Sequence, residues 1–264
     1  MTVAANARPR MRLFLLSELV RRDFQARYAG SAFGFLWSFA LPLWQLLLYT
    51  FVFAGILRLS LSGERTDNFA LFLFSGLLPF MAVSEGVQRA ATAVTDNAPL
   101  VKKLRFPLVL LVVTVVSTAL VHEAIALALF VVVLAVMGQL SVATLGWLAI
   151  AVPLQVALTL GLGLLLASLH VFLRDVAQAL GLIFSAWFYF TPIVYPLARV
   201  PEAFRPWIEL NPLTALVDLY RSALLGGAPE ATRGFVALVA AAALLLALGA
   251  LAFKRLSPSF ADEL

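Results

Sequence analysis

The side chains of this sequence that could do chemistry are few, and the first candidates are His122 and Glu123, which are adjacent in an apolar run. A zinc protease helix carries HExxH, but the residue that would complete this pattern is Ala126. A lone carboxylate in an apolar span is either neutral or paired with another helix, or it transfers protons. We favour the first alternative, because no second buried acid accompanies Glu123. The sequence therefore predicts no metal site.

Other catalytic patterns are missing from the sequence as well. It contains no GxxxxGK[ST] loop to hold ATP phosphates, no GxSxG turn and no cysteine. No nucleophile, base and orienting group stand close together in the chain. We therefore predict no catalytic residue and no cofactor in this chain, and any ATP must be bound by another protein.

The composition is that of a membrane protein. Of the 264 residues, 62% are hydrophobic and only 12% are charged, and the mean hydropathy is +0.98. Too few charges are available to cover the surface of a soluble protein, which excludes a soluble enzyme. The net charge of +5 does not indicate nucleic-acid binding, because long apolar runs separate the basic clusters.

Six stretches approach the roughly 20 apolar residues that a membrane-spanning helix needs. They are residues 33–57, 69–87, 106–138, 145–173, 176–197 and 234–253. The third stretch is longer than a straight span requires, so we expect it to tilt and protrude or to bend. The sequence therefore predicts an all-α integral membrane protein with six transmembrane helices.

The distribution of Lys and Arg predicts the orientation of these spans. With the N-terminus inside, 13 of the 19 basic residues fall on the cytoplasmic side and six outside. Both termini are therefore expected in the cytoplasm, including the tail 254–264. Before the first span, Leu13, Leu16, Val20 and Phe24 recur at helical spacing among charged residues, which predicts an interfacial helix within residues 1–31.

The segment 198–233 contains two short amphipathic stretches, 201–210 and 212–225. Asn211 before Pro212 is a helix-start signal, and Gly226 with Gly227 is a stop signal. Each stretch is too short and too charged to span a membrane. We expect two short re-entrant or interfacial helices before the last span.

Aromatic residues are concentrated in and beside the first and fifth spans. Many belong to the aromatic belts of membrane proteins, but the run from Trp187 to Phe190 is denser than a belt needs. Aromatic ring faces can stack on the apolar face of a sugar. The candidate substrate-channel residues are Trp37, Trp44, Tyr49, Trp187, Phe188, Tyr189 and Tyr195.

Several segments, taken in order, resemble the ABC-2 family of bacterial exporter permeases, specifically the subgroup that moves O-antigen or teichoic-acid polysaccharides. They are residues 21–37 (RRDFQARYAGSAFGFLW), 41–53 (LPLWQLLLYTFVF), 98–107 (APLVKKLRFP), 173–180 (LRDVAQAL), 190–196 (FTPIVYP) and 210–227 (LNPLTALVDLYRSALLGG). The resemblance covers nearly the whole chain, so we treat residues 1–264 as one ABC-2 transmembrane domain in the bacterial cytoplasmic (inner) membrane.

The resemblance implies a homodimer that binds two copies of a separate ATPase subunit, where ATP and Mg²⁺ would bind. The substrate would be a lipid-linked polysaccharide. The alternatives are export of capsule polymer, of drugs or of lipids, and less favoured ones are a membrane enzyme or a passive channel.

The resemblance also implies roles for particular residues. For coupling to the ATPase it implies Asp96, Asn97, Lys102, Lys103, Arg174 and Asp175. For the interfacial helix it implies Arg21, Arg22, Asp23, Arg27 and Tyr28. For the outer gate it implies Trp207, Asn211, Pro212, Tyr220 and Arg221.

Overall fold

The computed structural model describes residues 9–28, 34–58, 61, 63–103, 106–229 and 232–264, and within these ranges the secondary structure is helical, with no strand. The α-helices are α1 Pro9–Tyr28, α2 Trp37–Tyr49, α3 Phe69–Thr92, α4 Ala98–Lys103, α5 Val109–Val136, α6 Leu148–Phe172, α7 Asp175–Phe190, α8 Arg205–Glu209, α9 Pro212–Leu225, α10 Thr232–Leu256 and α11 Phe260–Glu263. A π-helical segment, Thr50–Ile56, continues α2. The all-α prediction is confirmed.

Four helical segments of the described chain are long and apolar enough to cross a membrane. They are Phe69–Thr92, Val109–Val136, Val142–Phe172 and Arg233–Glu263. The segment Leu43–Ile56 and the helix Asp175–Phe190 are shorter apolar helices. The 28 residues of α5 form one helix about 42 Å long, which is longer than the hydrocarbon core of a bilayer.

Proline shortens two of the predicted helices. The fifth stretch was predicted to reach residue 197, but α7 ends at Phe190 because Thr191 precedes Pro192 and adopts an extended conformation (φ −106°, ψ 131°). The stretch 201–210 forms a helix only over Arg205–Glu209, with Pro206 in its first turn. The predicted helix 212–225 is confirmed at both ends, since Asn211 caps its start and Gly226, at φ +91°, follows its end.

Helix α3 is the centre of the packing. It contacts α5, α6, α7 and α9, and large side chains such as Phe72, Leu73 and Val83 are almost fully buried along it. Apolar side chains on a buried helix pack on every side, which fits the position of α3 among four neighbours.

The helices α6 and α10 pack against each other through glycine. A Cβ atom on Gly161 would collide with the backbone of Leu245 and Leu246, and one on Gly249 would collide with the carbonyl of Gly161. Two backbones can approach this closely only where side chains are missing. Gly161 and Gly249 therefore fix the crossing of the two helices.

A buried polar network joins α5, α6 and α9. The Gln155 Nε2 donates to Oε2 of Glu123 at 2.6 Å, and the Tyr220 hydroxyl donates to Oε1 of Gln155. All three side chains are almost completely buried. Glu123 is thus paired with another helix, the alternative favoured from the sequence. A second acid, Glu85 on α3, lies beside His122, with Oε1 3.3 Å from Nδ1, and the sequence reading missed it.

The helices converge at two ends of the bundle. At the first, Phe260 of α11 is fully buried, its ring packs edge-on against Phe172 and Phe253, and α11 contacts α4. At the other, the Thr144 hydroxyl donates to the Ala223 carbonyl, which joins the turn before α6 to α9. These are called the α4 end and the α9 end below.

We expect Gly161→Val to destabilise the protein by about 1–3 kcal/mol, because overpacking at a close crossing forces the backbones apart. The melting temperature of the detergent-purified protein, followed by tryptophan fluorescence, measures this. Gly181→Val is the matched control, since nothing lies within 4 Å of a Cβ added there. Equal melting temperatures of the two variants would contradict the role of the crossing.

We expect Gln155→Leu to cost about 1–3 kcal/mol, because it removes the buried amide to which both Glu123 and Tyr220 bond. The same melting assay applies, with Gln178→Leu on the exposed face of α7 as the matched control. A Gln155→Leu variant as stable as its control would show that the network adds nothing to stability.

Candidate functional site

The helix α4 has one buried face and one exposed basic end. Val101 packs into a cluster with Phe253 and Phe260, whereas Lys102 and Lys103 are exposed. Before the helix, Asn97 Nδ2 donates to the carbonyl of Ala93 at 2.8 Å, which ties α4 to the end of α3. Both lysines are therefore exposed on a helix that apolar packing holds in place.

A cleft of about 610 Å³ separates α4 from the interfacial helix α1. Its floor is formed by Leu111, Thr114 and Val115 of α5. The residues on its sides are Leu19, Arg22, Asp23, Ala26, Asp96, Asn97, Pro99, Leu100 and Lys103. The cleft brings the coupling candidates Asp96, Asn97 and Lys103 together with the interfacial-helix candidates Arg22 and Asp23, while Arg21 and Lys102 lie outside its lining.

An ion pair anchors α1 to α3. The Nη2 atom of Arg89 lies 2.7 and 2.8 Å from the two carboxylate oxygens of Asp23, and its Nη1 lies 3.7 Å from Glu85. The ring of Phe24 packs against His122 at 5.0 Å between centroids. The sequence did not predict these contacts. The two residues of the ion pair are 66 positions apart, and Arg89 was expected in a loop.

The remaining coupling and interfacial candidates are Arg174, Asp175, Arg27 and Tyr28. Arg174, in the turn after α6, and Asp175, the first residue of α7, are exposed at the α4 end, and they do not line the cleft. The backbones of Arg27 and Tyr28 belong to α1, but their side chains lie outside the part of the structure that is described.

Three of the aromatic channel candidates line an open apolar groove at the α9 end, with a volume of about 1030 Å³. Trp187, Tyr189 and Tyr195 form one part of it, and Trp207, which is 76% exposed, forms another. The Tyr195 hydroxyl donates to the Tyr189 carbonyl at 2.7 Å, which holds the loop after α7 against that helix. The groove joins candidates from the predicted channel and from the predicted outer gate.

The aromatic side chains of α2 fall into two groups. Trp37 and Trp44 are 45% and 64% exposed. Tyr49 instead stacks on the buried Phe188, with 5.4 Å between ring centroids. The structure thus brings Tyr49 to the rings of α7.

Asn211 holds the start of α9 against the end of α7. Its Oδ1 accepts from the Leu213 backbone N–H at 3.1 Å and from the Trp187 indole N–H at 2.9 Å. Its Nδ2 donates to the Thr191 hydroxyl at 3.0 Å and the Phe190 carbonyl at 3.2 Å. A helix cap therefore also positions a candidate channel aromatic.

The gate candidates Tyr220 and Arg221 are buried in the bundle. The Arg221 guanidinium lies 3.7 Å from the centroid of the Phe72 ring and donates to the Ile193 carbonyl at 3.0 Å. A charge in such an environment is stabilised by the ring and by carbonyl acceptors. Arg221 therefore fixes α9 to α3 and to the loop after α7.

An ion pair that the sequence did not predict attaches α9 to the segment before α3. Arg65 lies 2.8 Å from Oδ1 of Asp218 and donates to the Ala228 carbonyl at 2.7 Å. The chain before α3 is thus fastened to both α9 and the segment after it. Among the described residues, no group of three His, Asp or Glu side chains is arranged to hold a metal ion.

Comparison with known proteins agrees with this architecture. Residues 15–225 match the family model described as "ABC-2 type transporter". The chain is 31% identical over 95% of both chains to the O-antigen export system permease protein RfbA of Myxococcus xanthus. It is 30% identical over 81% of both chains to a protein of the same name from Klebsiella pneumoniae.

A more distant relative is the polysialic acid transport protein KpsM of Escherichia coli, which is 22% identical over 79% of this chain and 80% of that protein. The family model covers most of the sequence, and the Myxococcus relative covers almost all of it. Together with the long apolar helices, these matches indicate a multi-pass inner-membrane protein and a non-catalytic transporter subunit. The chain belongs to the ABC-2 type transporter family.

Proposed function

We propose that this chain is the permease subunit of an ABC exporter that moves a lipid-linked polysaccharide, such as O-antigen or teichoic acid, across the cytoplasmic membrane. The observation that carries the proposal is the 31% identity to an O-antigen export permease over 95% of the chain. ATP hydrolysis in a separate subunit, which would bind ATP and Mg²⁺, drives the transport. The likeness to a polysialic acid transport protein supports capsule polymer as the second candidate substrate.

Six spans fit the packing and the charges. Besides the four long helices, α2 with its π-helical continuation and α7 are apolar, and they supply the other two spans. This arrangement puts both termini and the α4 end in the cytoplasm, where Lys and Arg are concentrated. The helices α8 and α9 are then the outer gate helices, re-entrant or interfacial. The two ends of α9 lie at the same end of the bundle, since its cap Asn211 bonds to Trp187 and Ala223 near its other end bonds to Thr144.

The assembly is a homodimer with two ATPase subunits. The exposed lysines of α4, the cleft beside α1 and the turn with Arg174 and Asp175 form the docking surface. Because Val101 of α4 packs into one cluster with Phe260 and Phe253, a push on the exposed face of α4 is transmitted to α10 and α6. Residues of the anchored helix α1 line the other side of the cleft.

The polysaccharide passes along the aromatic side chains of α2 and α7 and leaves past α8 and α9. Stacking on a ring is weak and does not depend on one particular sugar. Weak, repeated contacts suit a chain that must slide, because each sugar has to leave as readily as it arrives. Trp44, Tyr189 and Trp207 are more than half exposed and available for such contacts.

We expect the double charge reversal Lys102→Glu with Lys103→Glu to lower polymer export and ATPase copurification by about tenfold or more, because a wrong charge at an interface costs several kcal/mol. Tagged permease and cell-surface polymer provide the two measurements. The matched control is Lys254→Glu with Arg255→Glu, exposed residues at the same end of the bundle. Normal copurification in the α4 variant would contradict the docking surface.

We expect Trp44→Ala and Tyr189→Ala each to reduce export by roughly threefold or more and the double variant further, since stacking contributes about 0.5–1.5 kcal/mol per ring. Assembly with the ATPase should remain. Leu182→Ala, an exposed change on α7 away from both rings, is the control. Unchanged export in the double variant would exclude these aromatics from the path.

A further inference from the structure

We propose that the groove between α2, α3 and α7 is a glycan-binding subsite in which α3 supplies hydrogen bonds next to the aromatic rings. The inference rests on the proposed polysaccharide export and adds α3, which the sequence reading did not assign to the path. The groove has a volume of about 600 Å³, within the roughly 300–1,000 Å³ of small-ligand sites. Its lining mixes rings and polar groups, whereas apolar surface dominates the groove at the α9 end.

One part of the groove lining consists of aromatic rings. Tyr49 stacks on Phe188 across α2 and α7, and Phe80 of α3 packs edge-on against Phe188 with 5.4 Å between centroids. Tyr189 completes this part. These contacts fix the orientation of the rings, so a sugar would meet a preformed surface for stacking.

Another part of the lining, one helical turn from these rings on α2 and α3, consists of hydrogen-bonding side chains. Ser84 and Gln88 lie one turn apart on α3, and Gln88 Nε2 donates to the Ser84 hydroxyl at 2.7 Å. A hydroxyl that accepts one bond still has its own O–H to donate. On α2, the side-chain carbonyl of Gln45 is buried and has no hydrogen-bond partner among the described residues.

The polar residues of this groove lie within apolar helices and require an explanation. Ionisable and polar groups within apolar spans are costly and normally face a partner or a path through the protein. Glu85, in the same lining, is already engaged by Arg89 and His122. Ser84, Gln88 and Gln45 face the groove instead, and sugar hydroxyls offer both the donors and the acceptors that these groups need.

The position of the groove supports a path rather than an isolated cavity. Tyr189 lines both this groove and the apolar groove at the α9 end, so the two meet at one side chain. At its other side, Glu85 connects the groove to the Asp23–Arg89 pair near the α4 end. A lipid acyl chain would leave the polar wall unsatisfied, which makes a glycan the fitting occupant.

The absence of natural cysteine allows a direct test in the assembled complex. Ser84→Cys and Gln88→Cys are labelled with a small maleimide in cells whose partner ATPase is inactive, with and without polymer synthesis. We expect severalfold slower labelling when polymer is present, while Gln178→Cys, on the exposed face of α7, reacts equally in both. Equal labelling at positions 84 and 88 with and without polymer, as a lipid occupant would give, overturns the inference.

A parallel measurement separates this inference from the proposed function. Tyr189→Cys reports on the ring path common to both grooves. Protection at position 189 without protection at 84 and 88 overturns the α3 subsite but leaves polysaccharide export intact. Protection at none of the three positions counts against the path itself.

The hydrogen-bonding role has its own readout. Gln88→Leu should reduce export by roughly threefold to tenfold through loss of a hydrogen bond to the sugar, with assembly and melting temperature unchanged. Gln178→Leu is the matched control on α7. Normal export in Gln88→Leu contradicts the assignment of Gln88.

Discussion

Hydrocarbon offers no hydrogen-bond partners, so the polar side chains inside this bundle have to satisfy one another. The position of α9 follows from this constraint. Tyr220 bonds to Gln155, Arg221 lies over Phe72, and Asn211 caps the helix while holding Trp187. Fourteen residues cannot span a membrane, yet α9 is stable among the long helices because these groups pair at separate points.

Local signals predicted part of this structure well. The Asn-Pro start and the Gly-Gly stop gave α9 its correct ends, because caps act within a few residues. The end of α7 was missed, since hydrophobicity continues past Pro192 although the helix cannot. The pairs Glu123–Gln155 and His122–Glu85 join residues 32 and 37 positions apart. No periodicity reports such pairs, because they depend on how whole helices pack.

The central helix α3 links the two ends of the molecule. Near the α4 end it carries Arg89, which holds the interfacial helix, and near the α9 end it carries Phe72, on which Arg221 rests. Ser84 and Gln88 lie between them. A displacement of α3 would therefore reach the proposed docking surface, the groove and the proposed gate helices together, with no separate relay required.

The close contact of α6 and α10 at their glycines restricts which helices of this transporter can move. Where two backbones touch, neither can slide or rotate without a clash, so the two helices behave as one rigid unit. Phe172 and Phe253, near the ends of these two helices, both pack on Phe260, which joins α6 and α10 at the α4 end. In α7, by contrast, only Leu180, Phe184 and Phe188 of the 16 residues are buried, so a change of shape falls more readily on α7 than on the α6–α10 crossing.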